Sequence, residues 1–168
     1  MENQIVIIIG YIAVFFNFIS FLSTDRRTSL KIGIVGLFLY IIHIYYLDAI
    51  SATLISIIGL TISILSLIVN NNIKKKIIYI SPLLAIFTYL FLDEGLLGLL
   101  PALGVVFATI AKLQTDVLKM KLFYLGSPIC WMIFGFLIGS IPAILFDIMG
   151  IIALTISIYK IKRKNKTY

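Results

Sequence analysis

The sequence predicts an all-α integral membrane protein: seven transmembrane helices in a parallel 3+1+3 repeat, with the N-terminus outside and the C-terminus inside. Three observations carry that expectation. The chain contains seven long apolar stretches, its basic residues fall only in alternate gaps between them, and it matches itself at an offset of 91 residues.

Composition sets the solvent. The 168 residues are 61% hydrophobic and 12% charged, with a mean hydropathy of +1.14, far from the composition of a soluble domain. In hydrocarbon every backbone polar group needs an internal partner, which leaves helices or closed barrels, and the apolar stretches lack the strict alternation of barrel strands. The expected spans are 4–22, 31–47, 50–70, 77–92, 96–113, 121–138 and 141–160. Each approaches the ~20 residues that cross ~30 Å of hydrocarbon. Together they use nearly the whole chain.

Span one begins directly after Met1-Glu2-Asn3-Gln4, without a basic leader or a small-residue cleavage pattern, so it reads as a span and not as a removed signal peptide. Between spans one and two lie Arg26, Arg27 and Lys31. Asp48 marks the next gap. Lys74, Lys75 and Lys76 precede span four, Asp93 and Glu94 follow it, and Lys112, Lys119 and Lys121 separate spans five and six. Gly139 and Ser140 join spans six and seven, and Lys160, Lys162, Arg163, Lys164 and Lys166 close the chain. Because cytoplasmic loops retain Lys and Arg, the basic gaps lie inside. The turns at 47–50 and 138–141 are so short that spans two and three, and six and seven, form antiparallel hairpins.

At the 91-residue offset, span one aligns with five, two with six and three with seven. The informative matches are polar or small: Thr24-Asp25 with Thr115-Asp116, Ala52 with Ala143, Gly59 with Gly150, Ser66 with Ser157. An even number of crossings separates equivalent points, so the halves insert in the same orientation. The expected organisation is a first three-helix repeat over 1–70, a linker helix over 71–94, a second repeat over 95–160 and a basic cytoplasmic tail over 161–168. Parallel repeats about an axis along the membrane normal are one recurrent plan for transporters. Thr or Asp in the 24–25 and 115–116 pairs is placed to cap the helix that follows.

The net charge of +7 is spread over short loops and a tail, which fits topology and anionic lipid and excludes a nucleic-acid groove. Cys130 has no disulfide partner, and His43 alone cannot make a metal site, so no metal or other cofactor is expected. Paired carboxylates and nucleophile–base pairs are missing too, which argues against an enzyme. The expected partners are the lipid bilayer and a small polar solute. Self-association as a homo-oligomer stays open.

In closer detail the chain resembles the bacterial inner-membrane proteins of the YgjV type. The resemblance rests on Phe21 through Lys31 (FLSTDRRTSLK), His43 among tyrosines, Cys130-Trp131, and Gly139-Ser140-Ile141 followed by Asp147. It implies residence in the bacterial cytoplasmic (inner) membrane. More broadly, the plan is similar to that of the SWEET sugar transporters and the PnuC vitamin transporters. The chain departs from that pattern in lacking a Pro-Gln pair, and Pro101, Pro128 and Pro142 have no prolines at the matching Gly10, Leu37 and Ser51.

Asp147 is the one acidic residue inside an expected span, ~10 Å from its outer end. A carboxylate there costs about 2.5–3.5 kcal/mol on insertion scales, so it faces the bundle or a wet cavity, or stays protonated. It is the leading candidate for solute or proton contact. Ser56 is its repeat mate, and two stripes follow from them at helical spacing: Ser56, Gly59, Ser63 and Ser66 on one half, Asp147, Gly150, Leu154 and Ser157 on the other. They line a central path, or they are small-residue faces that let helices approach closely. His43 lies either in the layer of Asp147, where the two share a proton or a solute, or at the interface among Tyr40, Tyr45 and Tyr46. Tyr40 aligns with Trp131, one aromatic per repeat for stacking on a solute or for a membrane belt, and Asn17 offers an amide to the bundle or the solute.

The expected function is transport of a small neutral or cationic polar solute, sugar- or vitamin-like, by alternating access between the repeats. A charged anion is disfavoured because no Lys or Arg is expected within a span. The alternative is a non-transporting interaction protein: a subunit, an immunity factor or a lipid-binding scaffold.

Overall fold

The structure, a computed structural model, describes residues 2–68, 71–92 and 95–165, with side chains except those of residues 2, 3, 71–79, 164 and 165. Its elements are α1 (Glu2–Leu22), α2 (Arg26–Tyr45), α3 (Ile50–Ile68), α4 (Asn71–Leu92), α5 (Leu96–Leu113), α6 (Val117–Tyr124), α7 (Gly126–Leu137) and α8 (Ile141–Asn165). All elements among the described residues are helices. α6 and α7 are two pieces of one span, Val117–Leu137, broken at Leu125. The break follows from Pro128, which has no N–H to give back to the carbonyl of Tyr124.

Among the described residues, six helices are long and apolar enough to cross a membrane. The expected fourth span, 77–92, falls within α4, whose described side chains begin at Ile80. Asp93, Glu94 and Lys166 lie outside the described residues, as do the side chains of Lys74, Lys75, Lys76 and Lys164. α8 continues past the expected end of span seven to Asn165, into the segment expected as tail.

The Thr-Asp pairs act as caps. Asp25 Oδ2 accepts from the Thr28 amide at 2.7 Å, and Asp116 Oδ1 accepts from the Lys119 amide at 2.7 Å. Each cap starts its helix several residues before the apolar run, which is why α2 begins at Arg26 and α6 at Val117. The Thr28 amide also holds the Asp25 carboxyl below its ordinary value. At the opposite ends the two hairpin turns close alike. Ala49 N–H donates to Ile44 O and Asp48 N–H to Tyr45 O; Ser140 N–H donates to Gly135 O and Gly139 N–H to Phe136 O. These are paired Schellman closures, with the left-handed residue Asp48 at φ 57° in one and Gly139 at φ 65° in the other.

Six spans close a ring: α1 packs on α2, α2 on α3, α3 on α5, α5 on α7, α7 on α8, and α8 back on α1. α4 packs outside the ring, against α3 and α5. The ring's outer surface carries large apolar side chains such as Ile8, Phe15, Phe38, Phe136 and Ile141 in exposed positions, the face a lipid-solvated bundle presents. On its inner side α3 is small and polar, burying Ser51, Ser56, Gly59, Ser63 and Ser66, whereas α2, α7 and α8 bring in larger side chains such as Leu37, Tyr40, Trp131 and Phe146. An apolar cluster of Ala13, Tyr40, Ile44, Ala52, Leu100, Phe134 and Ala143 fills the end of the ring beside the Asp48 and Gly139 turns.

Candidate functional site

Below that cluster the ring encloses a cavity of about 110 Å³, lined from every helix except α4. Its lining extends from Tyr40, Trp131 and Asp147 to Ser20, Ser29, Lys112 and Lys121 at the end where Asp25 and Asp116 cap their helices. Such a volume has room for several water-sized groups.

Asp147 lies in the second turn of α8 with 3% of its surface exposed, and its Oδ2 is buried with no hydrogen-bond partner. Tyr40 and Ser56 are buried beside the same cavity, and Tyr40 OH and Ser56 Oγ also lack partners. An unsatisfied buried polar group costs ~1–3 kcal/mol, so three around one cavity are an uncommon concentration. Asn17 lines the cavity and donates from Nδ2 to Phe146 O at 3.2 Å, joining α1 to α8.

The two aromatics that align at the repeat offset meet. The Tyr40 and Trp131 rings stand edge to face with centroids 5.9 Å apart, and Tyr40 also stacks on Phe146 at 4.5 Å. Together they roof the cavity under the apolar cluster. Trp131 fits against α5 because Gly104 has no side chain; a Cβ there would overlap the indole.

His43 is placed elsewhere. It is 1% exposed, which excludes the interfacial alternative, and it is not among the cavity's lining residues. Its Nδ1 is 3.0 Å from Val6 O, and its Nε2 is 2.9 Å from Ser140 Oγ. A carbonyl only accepts, so Nδ1 carries a proton. In the neutral ring the Ser140 hydroxyl then donates to Nε2, while Ser140 Oγ accepts from the Ala143 amide at 3.3 Å. This network ties α1, α2 and the start of α8 at the turn end. Of the two stripes, Ser56, Gly59, Ser63 and Asp147 line the cavity, whereas Ser66, Gly150 and Ser157 do not. Gly150 instead abuts Phe21 and Asn17, and Ser66 and Ser157 are buried outside the cavity lining with Oγ atoms that likewise lack partners.

The largest correction concerns charge. Lys112 and Lys121 do not reach into water from a loop: they are 5% and 1% exposed and line the cavity. Lys112 Nζ donates to Ser63 Oγ at 2.8 Å and Gly59 O at 3.3 Å. Lys121 Nζ donates to Phe21 O at 3.1 Å and Ser29 Oγ at 3.4 Å. Ser29 is itself fixed by a reciprocal clasp in which Ser20 Oγ donates to Ser29 O and Ser29 Oγ to Ser20 O. Arg26 donates to Lys112 O at 3.3 Å, closing the end of α5. The sequence carried one signal for these lysines: at the 91-residue offset they align with Phe21 and Leu30, apolar positions of the first half. A cation standing where the repeat holds an inward apolar residue is not a loop residue. Among the described residues, no three His, Cys, Asp or Glu side chains come together as metal ligands would.

A family model described as a bacterial inner membrane protein, Imp-YgjV, matches residues 4–165. No curated protein and no solved structure matches the chain.

Proposed function

The chain belongs to that family of multi-pass bacterial inner membrane proteins, and we propose that it carries a small polar solute across the membrane by alternating access about its central cavity. The observation that carries this reading is the set of unpartnered buried atoms, Asp147 Oδ2, Tyr40 OH and Ser56 Oγ, around one enclosed space. Buried polar groups are normally satisfied, and a site that leaves several open is built to meet something that comes and goes.

Two like-oriented halves, α1–α3 and α5–α8, with α4 as the odd helix, supply the moving parts. In support, the caps at Asp25 and Asp116 and the closures at Asp48 and Gly139 recur at one offset, and Tyr40 and Trp131, equivalent at that offset, meet in one contact. The packing is reciprocal as well: the first helix of each half lies against the last of the other, α1 on α8 and α3 on α5. Halves related in this way can rock about the space between them. With basic gaps inside, the cavity's lysine end faces the cytoplasm and the apolar cluster closes the outer side. The preference for a neutral or cationic solute assumed spans free of lysine, and Lys112 and Lys121 remove that ground.

Uptake into proteoliposomes tests the proposal. Sugars, nucleosides, vitamins, short carboxylates and phosphate are each followed against protein-free vesicles. The expected result is accelerated entry of at least one of them, lost in Ser56→Trp, which fills the cavity. Entry of none above the protein-free rate contradicts transport and favours an interaction protein.

A further inference from the structure

Lys112 and Lys121 each have three N–H donors and two acceptors, and all four acceptors are uncharged oxygens: Ser63 Oγ, Gly59 O, Ser29 Oγ and Phe21 O. No carboxylate among the described residues pairs with either. Each ammonium therefore keeps a donor over for the cavity that both side chains line, with Lys121 Nζ also 5.9 Å from the centroid of the Phe21 ring. Burial without a counter-charge disfavours the charged form of a lysine, and an anion beside it restores that form.

Helix capping accounts for part of this arrangement only. Phe21 O belongs to the last turn of α1, where a cation is welcome. Gly59 O, which Lys112 contacts, lies in the middle of α3, so no helix end explains that lysine. Nor does the repeat demand either cation, because Phe21 and Leu30 occupy the equivalent positions of the first half. The cavity is also polarised: both lysines stand at the end of the Asp25 and Asp116 caps, and the unpartnered Asp147 Oδ2 stands toward the other. Lys112 contacts α3 at Gly59 and Ser63, roughly 5–10 Å along the helix from Ser56, the repeat mate of Asp147.

We infer that the cavity binds a small oxyanion, a carboxylate or phosphate, whose negative group meets the free donors of Lys112 and Lys121 while its uncharged part lies toward Tyr40 and Trp131. This rests on reading the cavity as the solute site. Asp147 at the far end disfavours the reversed pose and leaves the orientation unique.

The test uses the purified full-length chain in lipid-free neutral detergent, followed by thermal shift. Inorganic phosphate and lactate are compared with chloride at equal ionic strength, and with ribose and choline. The expected result is a melting temperature raised by an oxyanion several degrees beyond chloride. Lys112→Met and Lys121→Met each weaken that binding by about tenfold or more, whereas Lys119→Met, on the exposed face of α6, does not. If the Met variants do not fold, Lys112→Gln and Lys121→Gln, which keep a donor for the same oxygens, take their place. A shift from ribose or choline with none from oxyanions overturns the inference and leaves the solute site standing. An oxyanion shift unchanged in both lysine variants overturns it too, as does a shift that requires added phosphatidylglycerol. No shift from any of the solutes overturns the inference and the solute site together.

Discussion

At the residue scale, Asp147 and the two lysines decide the chemistry, and they were unequally legible. A lone carboxyl in an apolar span is conspicuous because burial is expensive for it, so Asp147 announced itself, and the structure places it on the cavity wall. Lys112 and Lys121 were hidden by position: at the ends of α5 and α6 a lysine usually reaches water along its own stem. Here the clasp of Ser20 with Ser29 and the hydroxyl of Ser63 offer oxygens inside the bundle, and the side chains turn inward to them. His43 is left by the sequence between the layer of Asp147 and an interface among tyrosines, because its partners, Val6 O and Ser140, are distant in sequence. Asp147→Asn keeps the shape and removes the ionisable group. Its melting temperature is expected to match the wild type within a degree or two, while proteoliposome uptake becomes independent of an imposed proton gradient if Asp147 carries the proton. Asp147→Leu, larger in apolar volume and without hydrogen bonds, is expected to abolish uptake altogether. Unaltered uptake in both variants removes Asp147 from the mechanism.

At the element scale, short-range chemistry was the most readable. The Thr-Asp caps, the tight turns and the span Leu96–Leu113 all stand where apolar length and capping residues put them. The early starts of α2 and α6 escape the apolar pattern because the capped turns are polar, and the break at Leu125, set by Pro128, escapes it because apolar residues run on across it. The two turns give a sharp comparison, since both use the left-handed region at equivalent positions. Gly139→Val forces a branched side chain to φ 65° and is expected to cost roughly 1–2 kcal/mol or more, read as a lowered melting temperature. Asp48→Gly relieves the same conformation at φ 57° and is expected to hold or raise stability by up to ~1 kcal/mol. Equal effects of the two substitutions would contradict the shared closure.

At the scale of the whole molecule, six spans ring a cavity whose wall is mostly apolar and carries a few polar and charged groups. The outer faces are large and apolar, as hydrocarbon requires, while α3 turns a small, hydroxyl-bearing face inward. Periodicity makes the Ser56, Gly59 and Ser63 stripe legible, but not where the space ends: Ser66, Gly150 and Ser157, open to lining a path or letting helices approach, lie outside the cavity lining. The ends are set by bulk: Tyr40, Phe134 and the apolar cluster close one side, and such packing depends on residues far apart in the chain. Exchange of that closed side for the other is the central claim, and thiol accessibility at Ser56 tests it most directly. In a Cys130→Ser background, Ser56→Cys is labelled with a membrane-impermeant thiol reagent, applied outside intact cells and inside through inverted vesicles. The account predicts reaction from both sides, with Ile8→Cys on the lipid-facing surface inert. Labelling of Ser56→Cys from neither side, in protein shown to be folded and inserted, would contradict it.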